Sequence, residues 1–289
     1  MSYFSLFTQS PYDFNRDGVY QNVVDIYKQV RPIQNYVDQI SAYRYYDIPN
    51  GARPDIVSQK LYGNSQFHWT FFLVNDFLHD GIGSWPMSQE DLMEYMKTEY
   101  EGVAIETVPQ IVRNTDGLIT DYKNSIANRF NLDETITGAT SGAKGTLVKK
   151  DLFNNQLILK DVTGNFKGNA RGTGITEAEE VKNSDDEKVT TYHVYDYIDA
   201  PHHWYDPTDP TKTQVSNAQF FSDPGADWST ETRLDMQFGS VAGLTYPDNV
   251  VTNRAYVNDL NEQRSKIRVI DAAYIQKFVD TFESMVNVW

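Results

Sequence analysis

Residues 43–97 read YRYYDIPNGARPDIVSQKLYGNSQFHWTFFLVNDFLHDGIGSWPMSQEDLMEYMK, and the rest of the chain is attached to this stretch or inserted after it. Tyr43 to Ile48 is short and aromatic and meets Pro49-Asn50-Gly51, which predicts a strand entering a turn. Arg53-Pro54-Asp55 opens a helix: proline at the first helical position lacks only a donor that would be unpaired anyway, and Asp55 suits the positive end of the dipole. Gly63-Asn64 ends it, because both residues tolerate a left-handed backbone. Ser65 is positioned to cap a second helix from Gln66 to about Asn75, where Phe67, Trp69, Phe71, Phe72, Leu73 and Val74 leave no polar face. Burial nearly all round follows, and Trp69→Ala is expected to cost ~3 to 5 kcal/mol. A second short strand is predicted through Trp85 and Met87, after turn signals at Asp80-Gly81 and Gly83-Ser84. The predicted order is β-α-α-β. Ser88 and Asp91 then form a capping pair ahead of Leu92, Tyr95 and Met96, which gives a further helix to about Tyr100.

Arg-Pro-Asp before the first helix, Leu-Tyr-Gly-Asn between the helices and Asn-Asp after the second resemble a LysM-type module. More closely, ARPDIVSQKLYGNSQFHWTFFLVND with the following SWPMSQED is similar to the LysM-like segment of the small baseplate wedge subunit of T-even-type contractile-tailed phages. The C-terminal NDLNEQRSKIRVIDAAYIQKFVDTFESMV resembles that family's ending of charged helix, short strand and amphipathic helix. The resemblance implies a non-enzymatic virion protein, assembled in the host cytoplasm, that joins wedges around the tail hub. Its expected partners are other baseplate wedge and hub-proximal tail proteins.

Composition narrows the alternatives. Forty acidic against 25 basic residues give a net charge of -15, which disfavours binding to phosphate backbones. The absence of cysteine excludes disulfides, thiolate zinc sites and cysteine nucleophiles. No cationic start with an apolar core opens the sequence, and the apolar patch at Phe67 to Val74 is far below the ~18 to 20 residues that cross a bilayer. Neither nucleic acid nor membrane is an expected partner.

Outside the central stretch, residues 1–42 read as an extended N-terminal arm followed by a helix, with an apolar stripe at Ile33, Tyr36, Val37 and Ile40. Residues 43–100 form the LysM-like core and 101–126 a set of extended connecting segments. Residues 127–176 alternate β-branched residues with Gly, Asn and Asp turns, the pattern of an inserted small all-β domain that folds independently and is removable without unfolding the core. Residues 177–249 comprise an acidic solvated linker, a strand at Val189 to Ile198 returning to the first domain, and a long aromatic and Pro-rich loop region. Residues 250–289 read helix-strand-helix, with Asp271 capping a last helix whose stripe is Ile275, Phe278, Val279, Phe282 and Val286. The fold class is α+β.

The search for chemistry yields little. His193, His202 and His203 lie near Asp196, Asp199 and Asp206, but the adjacent His202-His203 pair lacks helical i, i+4 spacing, so no metal site is assigned. Glu90-Asp91 and Glu179-Glu180 sit in charged surroundings that favour no selective pKa shift, and no phosphate loop or serine nucleophile motif is present. No catalytic residue or cofactor is expected. The attachment candidates are Val23, Ile26 and Tyr27 in the arm and Tyr274, Phe278 and Phe282 in the last helix, where substitution of the two phenylalanines by Asp is expected to leave a soluble core. The rival reading is a peptidoglycan-binding or peptidoglycan-degrading tail component, with Arg53 and Trp85 as the sugar contacts of a LysM-like groove.

Overall fold

The computed structural model describes residues 7, 9–24, 42–107, 112–113, 119–121, 126–168, 178–205, 214–215 and 250–287. In chain order the elements are β1 (Gln9–Tyr12), β2 (Gln21–Val24), β3 (Tyr43–Asp47), α1 (Pro54–Tyr62), α2 (Trp69–Val74), α3 (Gln89–Glu99), β4 (Val103–Thr107), β5 (Val112–Arg113), β6 (Ile119–Asp121), α4 (Ile126–Arg129), β7 (Thr135–Gly138), β8 (Lys144–Asp151), β9 (Gln156–Thr163), β10 (Glu180–Lys182), β11 (Lys188–Asp196), β12 (Pro201–Tyr205), β13 (Gln214–Val215), β14 (Val250–Thr252), α5 (Asn253–Ser265), β15 (Lys266–Ile270) and α6 (Ile275–Asn287). The class is α+β. The chain forms two compact units, one of Met1–Met93 with Asn258–Trp289 and one of Glu94–Val257.

The first unit is set by local signals at its start. Arg53 is extended, Pro54 begins α1, and Gly63 at φ 69 closes it with its N–H on the Gln59 carbonyl. Asn64, not Ser65, supplies the next cap, its Oδ1 accepting from Gln66 N at 2.9 Å, because a tight 3₁₀ turn at Ser65–His68 precedes α2. The strand expected through Trp85 and Met87 is not formed. Residues 81–84 make a 3₁₀ turn, Pro86 has no donor for a ladder, and the Trp85 side chain is buried.

The strand that pairs antiparallel with β3 is β15, in the register Tyr45 with Arg268 and Tyr46 with Ile267. Lys-Ile-Arg-Val-Ile alternates as a half-buried strand should, with Ile267 and Val269 fully buried beside Val57, Phe71 and Leu78. Strand, helix, helix, strand is thus the spatial order of this sheet and its cover, but its last member comes from the far end of the chain.

Asn75, wholly buried after α2, locks this closure. Its Nδ2 donates to the carbonyls of Phe71 at 2.7 Å and Arg268 at 2.9 Å, while its Oδ1 accepts from Arg268 N at 2.8 Å. One amide satisfies both backbone groups of Arg268 on the outer side of β15. Asn75→Ala leaves those groups unpaired in the interior and is expected to destabilise the first unit by ~2 to 4 kcal/mol, measured by urea unfolding followed through tryptophan fluorescence.

The last helix packs inward. Ile275, Phe278, Val279, Phe282 and Val286 join Phe7, Phe67, Trp69, Val74 and Ile270 in one core, with Trp69 4.8 Å from the Phe282 ring. Asp271 accepts from Ala273 N at 2.9 Å just ahead of it. Val24 of the β1–β2 hairpin touches the same core.

The second unit is built on a closed antiparallel barrel in the order β10-β11-β4-β9-β8-β7. Ile105, Phe130, Ile136, Leu147, Leu157, Leu159 and Val181 fill one shared core. Among the described residues only β7, β8 and β9 lie within 127–176, so that block does not close the barrel by itself; its edge strands β7 and β9 pair with β10 and β4 from outside it. The physical reason is that a three-stranded meander leaves two unpaired edges. Deleting 127–176 removes half the barrel. The expected acidic linker is likewise partly structural: Val181 faces the core from β10, while Glu179 and Asn183 are buried. β11 is the strand expected at 189–198, but it pairs with β4 and β10 inside the barrel and not with the first unit. A three-stranded sheet in the order β13-β12-β14 follows. Most of the Pro-rich stretch lies outside the described residues.

Candidate interaction site

The sugar-groove reading depends on the rims at residues 49–53 and 78–85. Trp85 is 7% exposed, its Nε1 donates to the Ala52 carbonyl at 2.8 Å, and its ring lies 5.9 Å from Phe71 and 5.7 Å from Phe72. The indole ties the two rims together from inside and has no face to offer a sugar. Arg53 is exposed and sits 3.2 Å from Asp55. The proposed contact pair is therefore not assembled.

A cleft of about 410 Å³ does open in the first unit, lined among others by Asn50, Met87, Gln89, Asn261 and Glu262. Its polar groups are largely committed to its walls. Asn50 Oδ1 accepts from Gln89 N at 2.9 Å, Asn261 exchanges hydrogen bonds with both Met87 backbone groups at 2.8 and 3.1 Å, and Glu262 pairs with Lys266 at 2.8 Å. Among the described residues no aromatic ring lines it.

Metal chemistry finds no centre either: among the described residues no group of three or more His, Asp or Glu converges. The three histidines are separated in role. His193 is wholly buried with its Nδ1 3.0 Å from Glu106 Oε2. His202 and His203 approach Nδ1 to Nδ1 at 2.8 Å, and the His202 ring stacks 3.7 Å from Tyr256. Burial, then the neighbouring His203, pushes the His202 imidazole down to about 4. Asp199 is engaged by Arg254 through two bonds of 2.7 and 3.1 Å, and Asp206 lies outside the described residues.

Asp91 and Glu179 hold backbone and hydroxyl groups of their own chain. Asp91 exchanges bonds with the Ser88 hydroxyl at the start of α3, as the capping pair predicts. Glu179 accepts from the backbone N–H groups of Thr140, Ser141 and Lys167 and from the Ser141 hydroxyl, at 2.7 to 3.0 Å. Burial pushes its pKa up, but the N–H groups of Lys167 and Ser141 and the Ser141 hydroxyl outweigh it and hold the group below the usual glutamate range.

Of the attachment candidates, Phe278 and Phe282 are corrected outright: both are buried against Trp69 and cannot present a docking face. Tyr274, just before α6, is 48% exposed, and Val23, half-buried, pairs with Ser10. Ile26 and Tyr27 lie outside the described residues. Exposed apolar side chains of the arm cluster at the tip of the β1–β2 hairpin: Tyr12, Phe14, Val19 and Tyr20 are 58 to 67% exposed. No helical or strand period marks these side chains in the sequence; the turn residues Asn15-Arg16-Asp17-Gly18 within the extended arm are the signal that points to them.

Residues 3–131 match the model of a family described as base plate wedge protein 53. The matched span runs from the hairpin through β3, α1 and α2 to α4. A search of curated proteins finds no match.

Proposed function

We propose, from the match of residues 3–131 to the base plate wedge family, that this protein is a non-enzymatic component of a phage virion baseplate, an adaptor joining neighbouring wedges during baseplate assembly. Its partners on this reading are the adjoining wedge and hub-proximal tail proteins. The first unit is read as a LysM-like module whose second strand, β15, is supplied from the far end of the chain and whose Trp85, between the two rims, is turned into the core. The observation that carries the reading is the burial of Trp85, the tryptophan those rims would offer a sugar, with its indole N–H spent on Ala52. With that ring turned inward, the LysM-like reading of the scaffold carries no sugar contact with it, and protein contacts are the use we assign to it.

The test is a phage in which this gene is silenced. Wedges should form but fail to join into sixfold baseplates, and a plasmid copy should restore them. Complete baseplates in its absence, or strong retention of the purified protein on murein sacculi, would return the function to the rival peptidoglycan class.

A further inference from the structure

We infer that the tip of the β1–β2 hairpin is the anchor by which this protein seats on a neighbouring baseplate subunit, entering an apolar pocket with a basic rim. This rests on the wedge-joining reading above and names the surface that performs it. A two-stranded hairpin is marginal in water by itself, and this one is tied to the core of the first unit through Val24, at the end away from its tip. Here Tyr12, Phe14, Val19 and Tyr20 are all more than half exposed within nine residues, and the rings of Tyr12 and Phe14 meet edge-to-face at 5.0 Å. Scattered exposed side chains are ordinary, but a cluster of this density on one protrusion marks a contact surface.

The tip is also held in shape before any partner arrives. Asp13 accepts from Asp17 N at 3.2 Å and Gly18 N at 2.9 Å, and Asp17 accepts from Val19 N at 2.9 Å. These bonds stabilise the positive φ of Arg16 (55) and Gly18 (84) that the turn requires. A preorganised aromatic protrusion binds without paying for loop ordering, and Tyr and Phe supply large contact area with few rotors. The hairpin lies inside the segment that matches the wedge family.

Charge defines the partner. Asp13 and Asp17 are interleaved with the apolar groups, Arg16 is the single cation of residues 12–20, and the whole chain carries -15. A lipid surface bearing anionic headgroups would repel such a tip, whereas a pocket edged by Lys or Arg on a neighbouring protein complements it.

The experiment uses the full-length protein and the purified wedge proteins of the same phage, with affinity measured by interferometry. The F14S/Y20S double variant, its folding checked by circular dichroism, should bind at least about tenfold more weakly. Arg16→Asn, which tolerates the left-handed turn and removes the one positive charge, should bind about two- to threefold more tightly, with the gain abolished in high salt. Unchanged affinity in the double variant, with wild-type binding intact, overturns the anchor and leaves wedge joining standing. Weaker binding by Arg16→Asn overturns the basic rim. Flotation of the wild type on phosphatidylcholine vesicles, lost in the double variant while wedge binding persists, assigns the tip to lipid and also overturns the proposal. No binding by the wild type to any wedge protein removes the wedge-joining reading and the anchor with it.

Discussion

Phe282→Asp should abolish the thermal transition of the first unit while the barrel of the second still melts cooperatively. The ring is wholly buried, 4.8 Å from Trp69, at the centre of a core that includes Phe7, Phe67, Ile270 and Phe278. Placing a carboxylate there removes the aromatic contact and buries a charge, a change worth about 5 kcal/mol or more, comparable to the whole stability of a small domain. Trp69→Ala attacks the same stack without a charge and should cost ~3 to 5 kcal/mol. Calorimetry of the two variants checks both. Survival of the full two-step profile in Phe282→Asp would show that α6 is only loosely seated.

Glu179→Ala should do to the barrel what Phe282→Asp does to the first unit, though less completely. The carboxylate receives three backbone N–H groups and a hydroxyl from the segments at residues 140–141 and 167, and it fits so closely that a Cβ on Gly138 would lie 2.6 Å from one oxygen. Truncation leaves those donors unpaired, at a cost of roughly 3 to 5 kcal/mol. The pH dependence has a definite sign. Because the folded pKa is depressed, the stabilisation is fully present above the ordinary glutamate value of ~4.3 and is lost as pH falls through the lower folded value. Wild type should therefore lose barrel stability in that acid window, and Glu179→Ala should show a flatter profile, read from denaturant midpoints across pH.

What the sequence disclosed and what it hid divide along chain distance. The Pro54 start and Gly63 stop of α1 and the Ser88–Asp91 cap of α3 were legible because each rests on bonds between residues a few positions apart. The stripe of α6 was legible as a stripe, but whether it faced its own core or a partner was not, since both uses need the same spacing. The partner of β3 was hidden because strand pairing leaves no mark on the strand itself; a Trp-Pro-Met run nearby looked as suitable as Lys266–Ile270. The barrel was seen only in its middle, because Glu180 and Lys182 mask the single inward Val181 of β10. At the site, Trp85 had the right place for a sugar contact, and only the reach of its indole to Ala52 shows it turned inward.

The pairing of β3 with β15 also sets a clock on synthesis. Roughly 200 residues separate the two strands, an interval of some ~10 to 40 s at typical translation rates. Throughout it α1 and α2 have left the ribosome with Trp69 and Phe71 unsheltered by Ile267, Ile270 and Phe282. A nascent chain in that state is a substrate for holdase chaperones, and a product terminated anywhere before Lys266 keeps β3 unpaired for its lifetime. The first unit therefore closes only once β15 and α6 have been translated, and its completion reports that the last helix has been made.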